Sequence, residues 1–464
     1  MSVQSGLGAT TPAGLELAAT GERRAPWAVA RVLRGPLALA VLLACGGLIA
    51  VASAHTDAIL PASIQPPPSG LAGPFAAAGV ALGTAPLILT LAAMFACYAV
   101  VVSLGARLSD RLVLGAIAAL LVLVVLAAPL FSTDVFSYQA YARMWASYGV
   151  DPYLHGPHAI MLDPIYPYIG AEWVTAPSAY GPLFTLISGV FAPLGVAAAV
   201  LAYKALAAAS CLACVVLVRR AAELRGRDPV RAAALVGLNP LVTLYGVGGS
   251  HNDMLMLVAI GAALYLLVGQ RELAGGTAIS LAAAVKLTGG LLLPFALAAR
   301  SVGLSGRRRW LLAAGAVVAA IAVAAVSLAV FGRGTLELPR TLVESQNAGD
   351  WHSVPGFIAL SFGLGGVGRL AAAVLGLAAL AAIIWLLRLV ALGTLDWIEG
   401  AAWATVAILV SANALLPWYV SWLLPLVALS ADRRLWRTAM WLSGIVLGLQ
   451  LLGYLPHPTA LLAA

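Results

Sequence analysis

Charge is what this sequence holds least of. Aspartate, glutamate, lysine and arginine together make up 9% of the chain, against about 25% in soluble domains. A water-soluble fold of 464 residues has no way to hide the apolar surface that remains. Lysine is nearly absent: Lys204 and Lys286 are the only two, both inside apolar segments, and every other basic residue is arginine. Cysteine is scarce as well, and Cys45, Cys97, Cys211 and Cys214 all lie in apolar runs. Cys211-x-x-Cys214 has redox or zinc spacing. No second pair or nearby histidine completes a site, so these thiols read as small apolar packing groups. No Gly-x-Gly-x-x-Gly dinucleotide-binding fold is read in the chain and no P-loop is present, which removes the common nucleotide-binding folds. No repeat relates one half of the chain to the other, which weighs against many transporter architectures.

What is present is apolar length. Hydrophobic residues make up 62% of the chain, and the mean hydropathy is +0.99. A span needs about 20 apolar residues. Such runs lie at 36–54, 80–104, 112–131, 198–218, 232–248, 253–269, 274–299, 310–331, 368–390, 398–414, 417–430 and 438–455. Segment 274–299 is expected to be broken, and counting it as two crossings gives about thirteen spans. The expected fold is an all-α polytopic membrane protein, one domain over 35–464. Residues 1–34, with Arg23, Arg24, Arg31 and Arg34, are expected to be a disordered cytoplasmic tail. "LLACG" at Leu42–Gly46 weakly resembles a lipoprotein cleavage box, and "VASAH" after it a signal-peptidase site. The long charged segment before them favours an uncleaved first helix.

The net charge of +8 does not point to nucleic acid, because the positives are spread over many short loops. That is the positive-inside pattern. It places Arg107/Arg111, Arg219–Arg231, Arg271, Arg300–Arg309, Arg388 and Arg433–Arg437 on the cytoplasmic side, with the N-terminus. The alternation works only if 183–195 does not cross and if 274–299 crosses twice as half-helices. The outward loops are longer and richer in Trp, Tyr, His and carboxylates. Loop 132–197 holds Asp134, Asp151, His155, Asp163 and Glu172; loop 332–367 holds Arg340, Glu344, Asp350, Trp351 and His352. Any chemistry is therefore expected on the extracytoplasmic face.

Four stretches carry the candidates. In "FSTDVFSYQAYARMWASYGVDPY", Phe131–Tyr153, the residues Asp134, Tyr138, Tyr141, Trp145 and Tyr148 fall on one stripe of a helix lying along the membrane surface. An interfacial belt explains the aromatics but not an acid at the apolar junction, where carboxylates are costly. Asp151, before Pro152, reads as a turn residue. In "NPLVTLYGVGGSHNDMLML", Asn239–Leu257, one helix ends and another begins. His251, Asn252 and Asp253 read either as a functional cluster or as helix caps. In "AAAVKLTGGLLLPF", Ala282–Phe295, Lys286 precedes Gly289–Gly290, which break the helix and open backbone to a cavity. A compact ammonium there suits a phosphate; Lys204 reads as a packing or snorkelling residue. In "LLPWYVSWLLP", Leu415–Pro425, Trp418, Tyr419 and Trp422 form an interfacial belt or a sugar platform. Arg340 and His352 are further anion candidates from the outer loop.

The order of these motifs resembles the bacterial polyprenyl-phosphomannose-dependent α-1,6-mannosyltransferases that build lipomannan-type glycans, members of the GT-C class. The motifs are Asp-x-x-Ser-Tyr, Gly-x-Asp-Pro-Tyr, Tyr-Gly-Pro-Leu, Asn-Pro-Leu, Gly-Gly-x-His-Asn-Asp, Val-Lys…Leu-Pro-Phe and Pro-Trp-Tyr. The resemblance covers nearly the whole chain beyond the tail. It implies a bacterial plasma-membrane enzyme with a polyprenyl-phosphate-mannose donor, a glycan or glycolipid acceptor, and inversion at the transferred carbon. It makes Asp134 the catalytic base. Lys286, then Arg340, would meet the donor phosphate. Tyr138, His251, Asn252, Asp253, His352, Trp418 and Tyr419 would bind substrate. Phosphate is a good leaving group, so one base suffices, and neither a cofactor nor a metal is expected. The alternative is a transporter or lipid-linked sugar flippase, whose polar residues would line a path at mid-membrane rather than gather at one face.

Overall fold

The computed structural model describes residues 26–299, 306–346, 353–356 and 365–455. Every regular element among the described residues is helical. In chain order the α-helices are α1 (Pro26–Ala52), α2 (Thr84–Leu104), α3 (Asp110–Leu126), α4 (Asp134–Tyr148), α5 (Pro182–Ser188), α6 (Val196–Leu224), α7 (Pro229–Gly237) and α8 (Asp253–Val268). They continue with α9 (Glu272–Val285), α10 (Leu292–Ala298), α11 (Gly306–Phe331), α12 (Leu338–Gln346), α13 (Gly365–Ala391), α14 (Trp397–Ser411), α15 (Leu424–Ala428) and α16 (Arg433–Leu452). The expected all-α membrane class holds. α1 begins at Pro26, so residues 26–34 extend that helix rather than join a tail; residues 1–25 lie outside the described ones.

Among the described residues six helices are long and apolar enough to cross a membrane, or seven if α7 and the π-helical stretch Leu241–Val247, bent by 44°, count as one. The expected count of about thirteen is not reached on this measure. The shortfall has a local cause: several apolar runs are cut short where the chain turns to present polar groups. The sixteen residues of α8 extend about 24 Å, against about 30 Å of hydrocarbon. α5 is only seven residues long, too short to cross, as the charge alternation requires.

The bundle has two chemically different ends. At one end, arginines tie helix termini together. Arg219 donates two hydrogen bonds to Asp110, at 2.8 and 2.9 Å. Asp228 accepts from the Ala106 N–H at 2.6 Å, Arg225 pairs with Asp396 at 3.1 Å, and Glu399 accepts from Ser430 and the Ala431 N–H. The other end gathers Asp134, Asp253 and Lys286 around a cavity. α3 joins the two ends, running from Asp110 to within a short segment of Asp134.

Segment 274–299 breaks as its glycines predict. α9 stops at Val285, and Lys286 is extended (φ −154°, ψ 126°). A 3-10 turn, Leu287–Leu291, then leads into α10. α9 enters beside Arg308, 3.9 Å from Glu272. The return leg passes Phe295, which packs on Gly400 close to Asp396. The segment thus runs from the arginine end to the cavity end and back.

α9 can lie against α11 because two glycines face the crossing. A Cβ on Gly276 would sit 2.0 Å from the Leu312 carbonyl oxygen, and one on Gly315 the same distance from that of Leu273. Small residues at helix crossings let backbones approach in membrane proteins. Gly276→Ala and Gly315→Ala are therefore expected to destabilise the protein by about 1–3 kcal/mol each through overpacking. Gly115→Ala, whose Cβ meets nothing within 4 Å, is the neutral control. Thermal unfolding of the purified protein in detergent checks this; equal midpoints for all three variants would refute the close-crossing account.

Candidate active site

Asp134 is placed by a short strapped segment. α3 ends at Leu126, leaving carbonyls without helical partners. Lys204 of α6 donates to two carbonyls just beyond that end, those of Ala127 and Ala128, at 2.5 and 3.0 Å. It is 1% exposed, so it neither snorkels nor merely packs; carbonyls clustered at a helix end attract a cation. The Ala128 N–H donates to Ser53 at 3.0 Å, that of Leu130 to Gly248 at 3.2 Å and that of Phe131 to Ile59 at 2.8 Å. Phe131 is left-handed (φ 62°) without being glycine. Such a residue stores strain, here opposed by its backbone bond and by stacking on Tyr245 at 4.2 Å. Asp134 then opens α4, with its N–H on the Ser132 hydroxyl at 3.1 Å.

The expectation of a helix lying on the membrane surface is overturned for α4. Residues Val135–Met144 are buried on every face. Loop 149–197 folds over them, pinned by Arg143, which pairs with Asp163 at 2.9 Å and donates to the Leu194 carbonyl at 2.6 Å. Tyr141 donates to the Ala176 carbonyl, and Trp145 donates to that of Thr185 and packs on Phe331. Both are packing residues. Asp151 accepts from the Tyr153 N–H at 2.8 Å, the turn role expected of it.

The second group comes from the Gly-Gly-x-His-Asn-Asp turn before α8. Ser250 is left-handed (φ 62°), and the His251 N–H closes back on the Gly246 carbonyl at 2.8 Å. His251 Nδ1 lies 3.3 Å from Asp134 Oδ2, off-line for a hydrogen bond, and the imidazole stacks on Trp418 at 3.4 Å. Tyr138 sits behind both: its hydroxyl is 3.5 Å from Asp134 Oδ2 and accepts from the Asn252 N–H at 3.4 Å. Asp253 has no solvent exposure. Its carboxylate accepts two bonds from Lys286, at 2.9 and 3.0 Å, and one from the Trp422 indole at 2.6 Å. The Lys286 ammonium also lies 4.6 Å from the Tyr419 ring centre and 5.1 Å from that of Trp422.

Gly181 of the Tyr-Gly-Pro turn holds the end of α9 in place. Its N–H donates to the Val285 carbonyl at 3.2 Å, and a Cβ there would sit 2.2 Å from the Ala284 oxygen. Only glycine fits between that turn and the residues preceding Lys286.

These elements enclose a cavity of about 580 Å³. Its wall includes Asp134, Asn252, Asp253, Lys286, Trp418 and Tyr419, six of the sequence candidates. Tyr138 and His251 lie behind the wall, each 1% exposed, so they position Asp134 and Asn252 rather than face the cavity. Arg340 is not brought in. It pairs with Glu344 on the exposed face of α12, while its neighbours Leu338, Pro339 and Leu342 face the cavity. His352 lies outside the described residues. Sequence reasoning left Tyr180 and Trp173, which also line the cavity, unassigned; the Tyr-Gly-Pro motif was the available signal for Tyr180. Trp422 reads from the sequence as a belt or sugar-platform aromatic, and its bond to Asp253 has no sequence signature.

Two features bear on chemistry. Burial works to raise the Asp134 carboxyl. The His251 imidazole, the Lys286 ammonium and the Ser132 hydroxyl more than offset it, and the carboxyl sits below its ordinary value. Asn252 is 3% exposed, and both polar atoms of its side-chain amide lack a hydrogen-bond partner among the described residues. Buried amides without partners are rare, and this one belongs to the cavity wall.

Comparison with known proteins gives a consistent picture. Residues 32–302 match the family described as "Alpha-(1->6)-mannopyranosyltransferase, N-terminal domain". The chain is 31% identical over 332 residues to Alpha-(1->6)-mannopyranosyltransferase A of Mycobacterium tuberculosis, covering 67% of this chain and 63% of that protein. It is 31% identical over 180 residues to the protein of the same name from Corynebacterium glutamicum, covering 38% and 36%. It is 29% identical over 356 residues to Alpha-(1->6)-mannopyranosyltransferase B of Corynebacterium glutamicum, covering 67% and 57%. The chain therefore spans less than two thirds of the length of these relatives. No solved structure matches. The family match covers more than half of the sequence and includes Asp134, the His-Asn-Asp turn and Lys286: this chain belongs to the alpha-(1->6)-mannopyranosyltransferase family.

Proposed function

We propose that the protein is an inverting mannosyltransferase of the GT-C class. It moves mannose from a polyprenyl-phosphate donor to a glycan or glycolipid acceptor on the extracytoplasmic face, forming an α-1,6 bond. The observation that carries this reading is the convergence of the Asp134 carboxylate and the Lys286 ammonium on a single cavity at the end of the bundle away from the arginines. The relatives' names supply the sugar and the linkage. The excess of arginine at the opposite end supports an extracytoplasmic cavity.

The chemistry follows from the groups present. Asp134 takes the proton of the attacking acceptor hydroxyl as the new bond forms at the anomeric carbon. The bond from that carbon to the donor phosphate oxygen breaks, and the electron pair leaves with the phosphate. Two of the three Lys286 N–H groups are spent on Asp253; the third is left for the departing phosphate, whose charge it stabilises. The free amide of Asn252 hydrogen-bonds sugar hydroxyls. Trp418 and Tyr419 offer apolar faces to the sugar ring or the first isoprene units. The scheme uses no cofactor and no metal ion.

Transfer from radiolabelled polyprenyl-phosphate mannose to an α-1,6-oligomannose acceptor, by purified protein, tests this directly. The wild type should form product, and Asp134→Asn should lower kcat by about 10²–10⁴-fold; full activity in that variant, or none in the wild type, would sink the proposal. Lys286→Gln should lose about 10²–10³-fold in kcat/KM, as expected for one donor to a developing oxyanion. A loss confined to acceptor KM would count against phosphate contact.

The pH profile gives a separate check. A carboxyl held below its ordinary value keeps the base ionised down through the usual carboxylate range near pH 4. Asp134 is therefore expected to add no acid limb to kcat/KM at pH 5 or above. In Lys286→Gln, one of the charges lowering that carboxyl is gone, so any acid limb should move to higher pH. A limb that moves to lower pH would contradict this electrostatic account.

A further inference from the structure

A second cavity, of about 550 Å³, opens at the arginine end between α7 and α16. Arg227 and Arg231 face it from the start of α7, and Arg433 and Arg437 from the start of α16. One acid, Asp228, lies in its wall, but that carboxylate is spent on backbone, accepting from Val230, Arg231 and Ala106 N–H groups. None of the four arginines forms an ion pair with a described residue. The Nε groups of Arg227 and Arg231 are buried without a hydrogen-bond partner among the described residues. Loop arginines that only set topology point into water. These converge on a hollow, with the Arg231 guanidinium 4.0 Å over the Trp436 ring.

The exposed face of α16 continues the site toward the apolar middle. Positions 433, 437, 441 and 445 recur every fourth residue, so they form one stripe. They are Arg433, Arg437, Trp441 and Ile445, with Trp441 71% and Ile445 53% exposed. Cation, cation, indole, aliphatic is the order that complements an anionic phospholipid from headgroup to chain. A soluble anion would need the arginines and have no use for the stripe below them.

We propose that this cavity binds the phosphate of an anionic glycerophospholipid from the leaflet at the arginine end. Arg227, Arg231, Arg433 and Arg437 hold the headgroup, and the acyl chain lies on Trp441 and Ile445. Basic pockets between membrane helices are suited to such headgroups. The site is separate from the Asp134 cavity, and the proposal does not depend on the reaction assigned there.

Native mass spectrometry of the full-length protein, released from micelles holding equal phosphatidylglycerol and phosphatidylcholine, tests the proposal. The wild type should retain phosphatidylglycerol selectively, excess inorganic phosphate should not displace it, and Arg231→Gln/Arg437→Gln should retain about tenfold less. Trp441→Ala alters only an exposed side chain and keeps every charge; it too should lose retention, and it decides the matter if the arginine variant does not fold. Equal retention of both lipids, displacement by phosphate, or undiminished retention in Trp441→Ala would overturn the assignment.

Discussion

The pairing of Lys286 with Asp253 is the constraint on which the cavity end depends. Asp253 has no exposure, and the side chain of Lys286 keeps only 23%. Either charge buried alone costs several kcal/mol, and together they are tolerable only in good geometry with their other positions filled. The Trp422 indole fills one on the carboxylate. Three chain segments must therefore meet: the start of α8, the break after α9 and the turn Pro417–Trp422. α9 stops at Val285, and the extended Lys286 that follows it reaches Asp253. Gly181 donating to the Val285 carbonyl satisfies a group that the break leaves open.

Asp134 is held by a different device, backbone strain opposed by straps. Phe131 and Ser250 are both left-handed, and each lies within three residues of a side chain that meets the other's, Asp134 and His251. Strain of this kind persists only where the surroundings over-determine it. Here the Phe131–Tyr245 stack, the Leu130–Gly248 bond and the His251–Trp418 stack join the two turns to each other and to the Pro417–Trp422 turn. The Asp134 carboxylate and the Lys286 ammonium are thus anchored through one shared set of contacts.

Much of this was legible in the sequence, and the limits of that reading are physical. Helical class and the break at Lys286 follow from apolar length and from paired glycines, which act locally. The convergence of Asp134, Asn252, Asp253, Lys286, Trp418 and Tyr419 was reachable because an uncompensated polar group beside hydrocarbon is conspicuous in any apolar run. The burial of α4 was not reachable: its period fits an interfacial helix equally well, and what covers it is a loop folding back by way of Asp163, a long-range event. Arg340 failed for a related reason. A cation in an outer loop has no sequence mark that says whether it turns toward the cavity or toward Glu344, and an i,i+4 carboxylate on the same helix wins locally. The span count rests on hydropathy windows, which measure composition, whereas helix ends are set by where the chain must turn.

The scarcity of lysine acquires a reason from the two ends. Arginine presents a rigid fork that suits carboxylates held side by side, as Arg219 does with Asp110. The arginine end uses it to tie helix termini together and to line a hollow. Both lysines are instead placed deep in the protein, where a compact ammonium with three donors can serve two masters at once. Lys204 spans the carbonyls of Ala127 and Ala128 and so fixes the segment that leads to Asp134. Lys286 spans both oxygens of Asp253 and keeps one donor for the cavity. A guanidinium in either place would need more room and would spread its charge over a plane. Lysine is rare in this chain, and both of its positions set the geometry of the same site.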